Sequence, residues 1–341
     1  METEADDQIA RFVSAYDQSR KTQVLVIEGD QGTGKTNLLN YYEREFNDLY
    51  PKTEGFYIIR YYSDPEPTFD KMLVRILQEL GSGDFMENLA HRFAEVDQHK
   101  QNAVVETARL SDMRTVLRGL GTAAHRSEDE LKEAANAALE WILGFRVLNR
   151  HRESLGPIHF RLDTVESKTQ ALRDLVFCGA ELDVLKGLII LLDELEKQDD
   201  TKSKMTVLRF LSAIRALIDA LPQYLFLMAA MTPEARRRYF SMLPAFAGRL
   251  QNKIEIPYLK DEEIALRLFH FYLDDAGRRA ESKLLLSKPP DNVRLVVSET
   301  KARAAFTQLL LSARKRGDEG VRQRDFLNEL HKMAEETLTN V

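Results

Sequence analysis

Apolar residues fall into two kinds of pattern along the chain. Short unbroken runs, Val24-Leu25-Val26-Ile27, Gly55-Phe56-Tyr57-Ile58-Ile59-Arg60-Tyr61-Tyr62, Gly187-Leu188-Ile189-Ile190-Leu191-Leu192 and Tyr224-Leu225-Phe226-Leu227-Met228-Ala229-Ala230-Met231, have the composition of buried strands. A last, weaker strand is expected at about Lys253 to Ile256. Between the runs, apolar positions recur every three or four residues and predict helices. Ile9, Ala10, Phe12, Val13 and Tyr16 give one over residues 5 to 18; others run from Thr36 to about Asp48, from Phe69 to Leu80, and from Thr206 to Leu221. Strand and helix alternate, so the expected class is α/β with a parallel sheet flanked by helices.

Two regions depart from that alternation. Asp64-Pro65-Glu66-Pro67 ends the second strand and Gly81-Ser82-Gly83 breaks the following helix. From about Asp84 to Cys178 the chain is then charged and shows helical stripes such as Leu131, Ala134, Ala138, Trp141 and Ile142, with no convincing strand. Roughly 160 residues separate Lys35 from Asp193, whereas two βαβ units need only about 60 at roughly 30 each. The surplus predicts a folded helical insertion at about 84–178, because structureless loops beyond about 15 residues are uncommon in compact domains. From Pro257 onward the pattern is helical again (Ile264 to Tyr272, Ala302 to Ala313, Asp325 to Leu338) and predicts a small helical lid over 257–341. It is interrupted by Pro289-Pro290 and the apolar stretch Val293 to Val297.

The first candidate chemistry lies directly after the first strand. Gly29-Asp30-Gln31-Gly32-Thr33-Gly34-Lys35-Thr36 matches G-x-x-x-x-G-K-[ST], the phosphate-binding P-loop, in its required setting between strand and helix. The glycines permit backbone angles that turn successive N–H groups around a phosphate, and the helix N-terminus adds a favourable dipole. Lys35 would place a point charge on the β- and γ-phosphates, and the Thr36 hydroxyl would ligate magnesium. With only 16 glycines in 341 residues, the coincidence of motif and context argues against an ordinary glycine-rich turn.

The second candidate closes the most apolar run. Asp193-Glu194-Leu195-Glu196 follows Gly187 to Leu192, so two adjacent acids end a fully buried strand. Beside a P-loop this reads as the acidic Walker B motif: Asp193 to hold magnesium, Glu194 to orient and polarise the attacking water. Charged residues also cap ordinary strands where they reach solvent, so the pairing with the P-loop carries the reading.

Composition narrows the rest. The 54 acidic and 48 basic side chains give a net charge of −6, which argues against non-specific coating of nucleic acid. One cysteine, Cys178, excludes an internal disulfide and is expected to be a small core residue. Met1 to Asp7 is acidic and polar, and no segment approaches the roughly 18 unbroken apolar residues of a membrane span. A cytoplasmic protein with no membrane partner is expected. Arg236-Arg237-Arg238 offers either a solvated helix face or a phosphate contact. The basic stretch Arg146, Arg150, His151 and Arg152 in the insertion offers a candidate surface for a partner protein or DNA phosphates, or merely the solvated face of a buttress.

The motifs at 29 to 36 and 191 to 196, with Gly248-Arg249-Leu250 leading into Ile256-Pro257-Tyr258, make the chain resemble the AAA+ ATPases. Within them it is similar to the origin-recognition-like group, which includes ATP-binding proteins of bacterial BREX-type phage-defence systems. The resemblance covers most of the chain outside the insertion. It implies a γ-phosphate sensor at Thr232, an arginine finger reaching a neighbouring subunit's site at Arg249, and a second sensor in the lid at Arg324, a better fit than Arg322. It also implies ATP and Mg2+ as cofactors and self-association into an oligomer. Origin-recognition proteins carry a winged helix after the lid, but 257–341 holds only about 85 residues, so DNA contact without strong sequence specificity is the expectation. The implied activity is magnesium-dependent ATP hydrolysis coupled to assembly or remodelling of a DNA-processing or defence complex. One rival is a nucleotide-gated scaffold or target selector like the AAA+ regulators of Tn7-type transposition. Another is a P-loop kinase, which the tandem acids and the arginine before the last strand disfavour.

Overall fold

The computed structural model describes residues 4–62, 68–81, 85–198, 203–284 and 297–339. The breaks expected at Asp64-Pro65-Glu66-Pro67, Ser82-Gly83, Pro289-Pro290 and most of Val293 to Val297 lie outside the described residues. In chain order the elements are α1 (Glu4–Ser19), β1 (Gln23–Glu28), α2 (Lys35–Leu49), β2 (Phe56–Tyr62), α3 (Phe69–Gly81), α4 (Phe85–Glu95), α5 (Gln98–Thr107), α6 (Ser111–Ala124), α7 (Glu128–Ile142), α8 (Asn149–Leu155) and α9 (Val165–Glu181). There follow β3 (Gly187–Asp193), α10 (Lys204–Ala220), β4 (Leu225–Met231), α11 (Pro233–Met242), α12 (Pro244–Ala247), β5 (Asn252–Glu255), α13 (Glu262–Leu284), α14 (Glu299–Arg316) and α15 (Gln323–Thr339).

The strands form one five-stranded parallel sheet in the order β2-β3-β4-β1-β5. Phe56 lies opposite Gly187 and Tyr62 opposite Asp193, while Leu188 lies opposite Leu225. All seven residues of β3 and all seven of β4 are buried, which is why these two strands read as continuous apolar runs instead of alternating. Gly187 must lack a side chain: a Cβ there would meet the Tyr16 hydroxyl at 2.4 Å and the Phe56 ring at 2.8 Å. That hydroxyl donates to the Tyr224 carbonyl at 3.0 Å, and burial raises its pKa above the ordinary phenolic value.

The chain divides into two compact units, one of Arg11–Val26 with Leu38–Lys253 and the other of Met1–Ala10, Ile27–Asn37 and Ile254–Val341. The first contains the insertion, whose regular elements over its described length are all helices. It is no separately cored appendage: its buried residues, from Phe85 through Trp141 to Cys178, belong to the same apolar cluster as Ile59, Ile190 and Leu227 of the strands. Phe85 packs edge-on against Tyr57 of β2. Local chemistry fixes the helix starts, since Asp97, Ser127 and Thr164 accept from the backbone N–H groups of Lys100, Glu130 and Ser167. Two buried carboxylates fix the junctions. Asp174 accepts from the N–H groups of Arg109 and Leu110, and Asp112 from those of His159 and Phe160.

Cys178 is fully buried, and burial, assisted by the Asp174 carboxylate, pushes its thiol up to about 12. Since the thiolate is the reactive form, Cys178 should be silent to a thiol-specific chromogenic reagent at neutral pH until the protein is denatured, and react stoichiometrically afterwards.

In the second unit the helices after β5 share a core of their own, built from Leu259, Leu266, Phe269, Phe306, Val321 and Phe326 among others. The Ser298 side chain caps α14 at its start, and Gly317, at φ 82°, supplies the left-handed residue that ends it. Among the described residues no helix is long and apolar enough to cross a membrane.

Candidate functional site

The P-loop belongs to the unit that contains the lid. β1 ends at Glu28, whose carbonyl accepts from the Ile256 N–H at 2.7 Å, and α2 begins at Lys35. Gly32 and Gly34 adopt φ of 81° and 110°, left-handed values that suit glycine and let consecutive N–H groups converge. Thr33 is fully buried, and its N–H and hydroxyl both donate to the Asp30 carbonyl, at 3.3 and 2.9 Å. The buried Lys35 ammonium donates to the carbonyls of Gly29, at 2.7 Å, and Asp30, at 3.1 Å. Gln31 and Thr36 are exposed.

Lid residues hold this loop. The Arg324 N–H donates to the Gly32 carbonyl at 2.9 Å, and the Tyr258 hydroxyl donates to an Asp30 carboxylate oxygen. That carboxylate raises the Tyr258 phenol above its ordinary pKa, against the opposing pull of Arg322. A Cβ on Gly34 would meet the Gln323 carboxamide at 2.2 Å, and one on Gly29 would meet the Thr33 hydroxyl at 2.5 Å. Arg324, singled out from sequence, therefore stands at the P-loop through its backbone; its side chain is exposed. Gln323 escaped the sequence reading, and Tyr258 entered it only within the run Ile256-Pro257-Tyr258, with no role at the loop, since no motif marks a glutamine opening a helix or the reach of that tyrosine to Asp30.

The acidic motif lies in the other unit. Asp193 is 1% exposed and both of its oxygens are engaged: Oδ1 accepts from the Glu194 N–H at 2.9 Å and Oδ2 from Arg60 Nη2 at 2.7 Å. Arg60 comes from β2, its side chain is 5% exposed, and the same nitrogen lies 3.3 Å from Asn40 Oδ1. A buried ion pair at the end of β3 was hidden in the sequence, because Arg60 sits inside an aromatic, β-branched run. Glu194 has φ 53°, a conformation that costs a non-glycine residue energy and clusters at functional sites.

Removing one member of a buried pair leaves an uncompensated charge, at a cost of about 3–5 kcal/mol. Arg60→Met should therefore lower the unfolding free energy, measured by denaturant titration, by an amount of that order, and adding Asp193→Asn should recover much of the loss. Equal stability of Arg60→Met and the parent would show that the pair is not desolvated as described.

The remaining candidates have structural partners in the same unit as Asp193. The Thr232 hydroxyl accepts from the Ala235 N–H at 3.2 Å and so caps α11. Arg249, exposed, pairs with Asp219 at 2.5 Å. Arg236 lies over the Phe240 ring, and Arg237 and Arg238 are exposed on the helix surface. Of the basic stretch in the insertion, His151 is buried: its Nδ1 accepts from the Leu148 N–H and its Nε2 therefore donates to Glu140, at 2.7 Å. The hydrogen bond from His151, then that from Arg150, holds the Glu140 carboxyl below the usual range.

Thr36, in one unit, offers a hydroxyl, and Asp193, in the other, a carboxylate; each is a hard oxygen of the kind magnesium takes with phosphates and water. Among the described residues no three His, Cys, Asp or Glu side chains cluster into a cage supplied by protein alone.

A family model described as BREX system ATP-binding protein BrxC/D matches residues 68–332. The match begins after the P-loop, so the loop and the family point to nucleotide binding independently. Among curated proteins none matches significantly.

Proposed function

Since the chain belongs to the BREX system ATP-binding protein BrxC/D family, we propose that it is a magnesium-dependent ATPase that couples ATP binding and hydrolysis to assembly or remodelling of a phage-defence complex. The observation that carries the reading is the P-loop itself, with Gly32 and Gly34 in left-handed conformations ahead of a helix that opens with Lys35 and Thr36. The family supplies ATP binding and the setting; hydrolysis, the metal and the coupling are our reading of the residues.

In this reading the backbone N–H groups of the loop and the Lys35 ammonium bind the phosphates. Thr36 and Asp193 would hold the magnesium ion, which would supply positive charge to neutralise the phosphates. Glu194 orients water and draws off its proton. Thr232 donates its hydroxyl toward the γ-phosphate while its oxygen caps α11, and Arg324 supplies a guanidinium where negative charge develops. Arg60 Nη2, 2.7 Å from Asp193 Oδ2, holds that carboxylate in place.

Arg249 tests the assembly. A finger serving a neighbour makes the rate per subunit rise with protein concentration, and mixing Arg249→Ala with Lys35→Ala subunits should restore part of the activity each has lost. Arg249 now pairs with Asp219, and an exposed pair contributes only about 0.2–1 kcal/mol. Asp219→Asn should accordingly leave turnover intact while Arg249→Ala lowers it at least about tenfold. Equal, negligible effects, with a rate independent of concentration, would reduce Arg249 to a surface ion pair.

A further inference from the structure

The insertion presents two phenylalanines to solvent on neighbouring loops. Phe145, in the loop between α7 and α8, is 53% exposed, and Phe160, in the loop between α8 and α9, is 70% exposed. The loops are tied together: Arg161 Nε donates to the Gly144 carbonyl at 2.6 Å, and a Cβ on Gly144 would meet the Leu162 carbonyl at 2.3 Å.

Phe160 is exposed because its backbone is clamped. Buried Asp112 accepts from the N–H groups of His159 and Phe160 at 3.0 and 2.7 Å, and the indole N–H of Trp141, fully buried, donates to the Phe160 carbonyl at 2.9 Å. Two buried polar side chains thus fix the peptide segment that carries the Phe160 ring. Each ring adjoins a cation in sequence. Arg146 follows Phe145, Arg161 follows Phe160, and neither arginine has an acidic partner among the described residues. By contrast Arg150 is paired with Glu140 at 2.6 Å.

We propose that this tip binds single-stranded nucleic acid, with bases stacking on Phe145 and Phe160 and phosphates meeting Arg146 and Arg161. Every base has a π-face, so stacking on a rigid aromatic tolerates sequence, and guanidinium groups follow the backbone charge. A partner helix would need a continuous apolar stripe, whereas ring and cation alternate here. The proposal is independent of the nucleotide site.

Fluorescence anisotropy of the full chain with a labelled oligothymidine of about 20 nucleotides, longer than the roughly 4–16 that single modules cover, tests it. Binding should weaken with salt at about 0.7 log units per phosphate contact. Each of Phe160→Ala and Phe145→Ala should weaken it roughly 5–150-fold with the salt slope unchanged. Arg146→Gln with Arg161→Gln should reduce the slope by about 1.4. Trp141, the only tryptophan, should change its emission on binding. The rings and Arg146 are exposed, so Phe145→Ala, Phe160→Ala and Arg146→Gln should melt at the parent temperature, whereas Arg161→Gln also loses the bond to the Gly144 carbonyl and should melt somewhat lower. No binding at low salt, equal binding of a duplex of the same length, full displacement by polyglutamate at equal charge, or phenylalanine variants that bind like the parent would each overturn the proposal.

Discussion

Lys35→Ala should remove ATP binding, lowering affinity for a non-hydrolysable ATP analogue at least about 30-fold by titration calorimetry. Truncating a buried, hydrogen-bonded charge facing a charged partner costs about 2–5 kcal/mol, and each 1.4 kcal/mol is a factor of ten. The structure adds a second consequence. Lys35 is 7% exposed and its ammonium satisfies the carbonyls of Gly29 and Asp30, so alanine also leaves buried acceptors unpaired and should destabilise the loop by roughly 1–3 kcal/mol. Lys35→Met keeps much of the apolar stem and should share both defects, whereas Lys35→Arg, which keeps the charge, should recover the stability. Analogue binding by Lys35→Ala at the parent affinity would remove the loop from the nucleotide site.

Glu194→Gln should separate chemistry from binding. Positioned proton transfer is worth about 10²–10⁴ in rate, so turnover should fall by that range while ATP affinity stays within a few-fold of the parent. The neighbouring acid behaves differently. Asp193→Ala strips a candidate metal ligand and also removes the carboxylate that faces buried Arg60, so it should lose both magnesium-dependent affinity and thermal stability. Because Glu194 is held at φ 53°, Glu194→Gly should keep or raise the melting temperature while hydrolysing as poorly as Glu194→Gln. Parent-like turnover in Glu194→Gln would mean that another group handles the water.

These expectations show which parts of the molecule a sequence can reveal. β3 and β4 were legible because burial on both faces writes an unbroken apolar run, and the P-loop because its backbone angles demand glycine at set positions. Helix α1, over Glu4–Ser19, and α10, over Lys204–Ala220, were legible from spacing alone. What sequence could not show were the contacts made by single side chains across long separations. Arg60 reaches Asp193 across 133 residues and Tyr258 reaches Asp30 across 228; neither belongs to a local pattern. His151 misled in the opposite direction: it counted with its arginine neighbours as surface charge, yet it is 1% exposed and serves the loop at Leu148. The insertion was legible as helical, but nothing in its periodicity revealed that its buried residues continue the core of the sheet.

The most direct test of the account is phosphate release by the purified full-length chain with ATP, with magnesium present or chelated, beside Lys35→Ala under the same conditions. The account predicts release that requires magnesium and falls to background in Lys35→Ala. Release that persists in Lys35→Ala, or that is absent from the parent at every protein concentration with magnesium present, would contradict it.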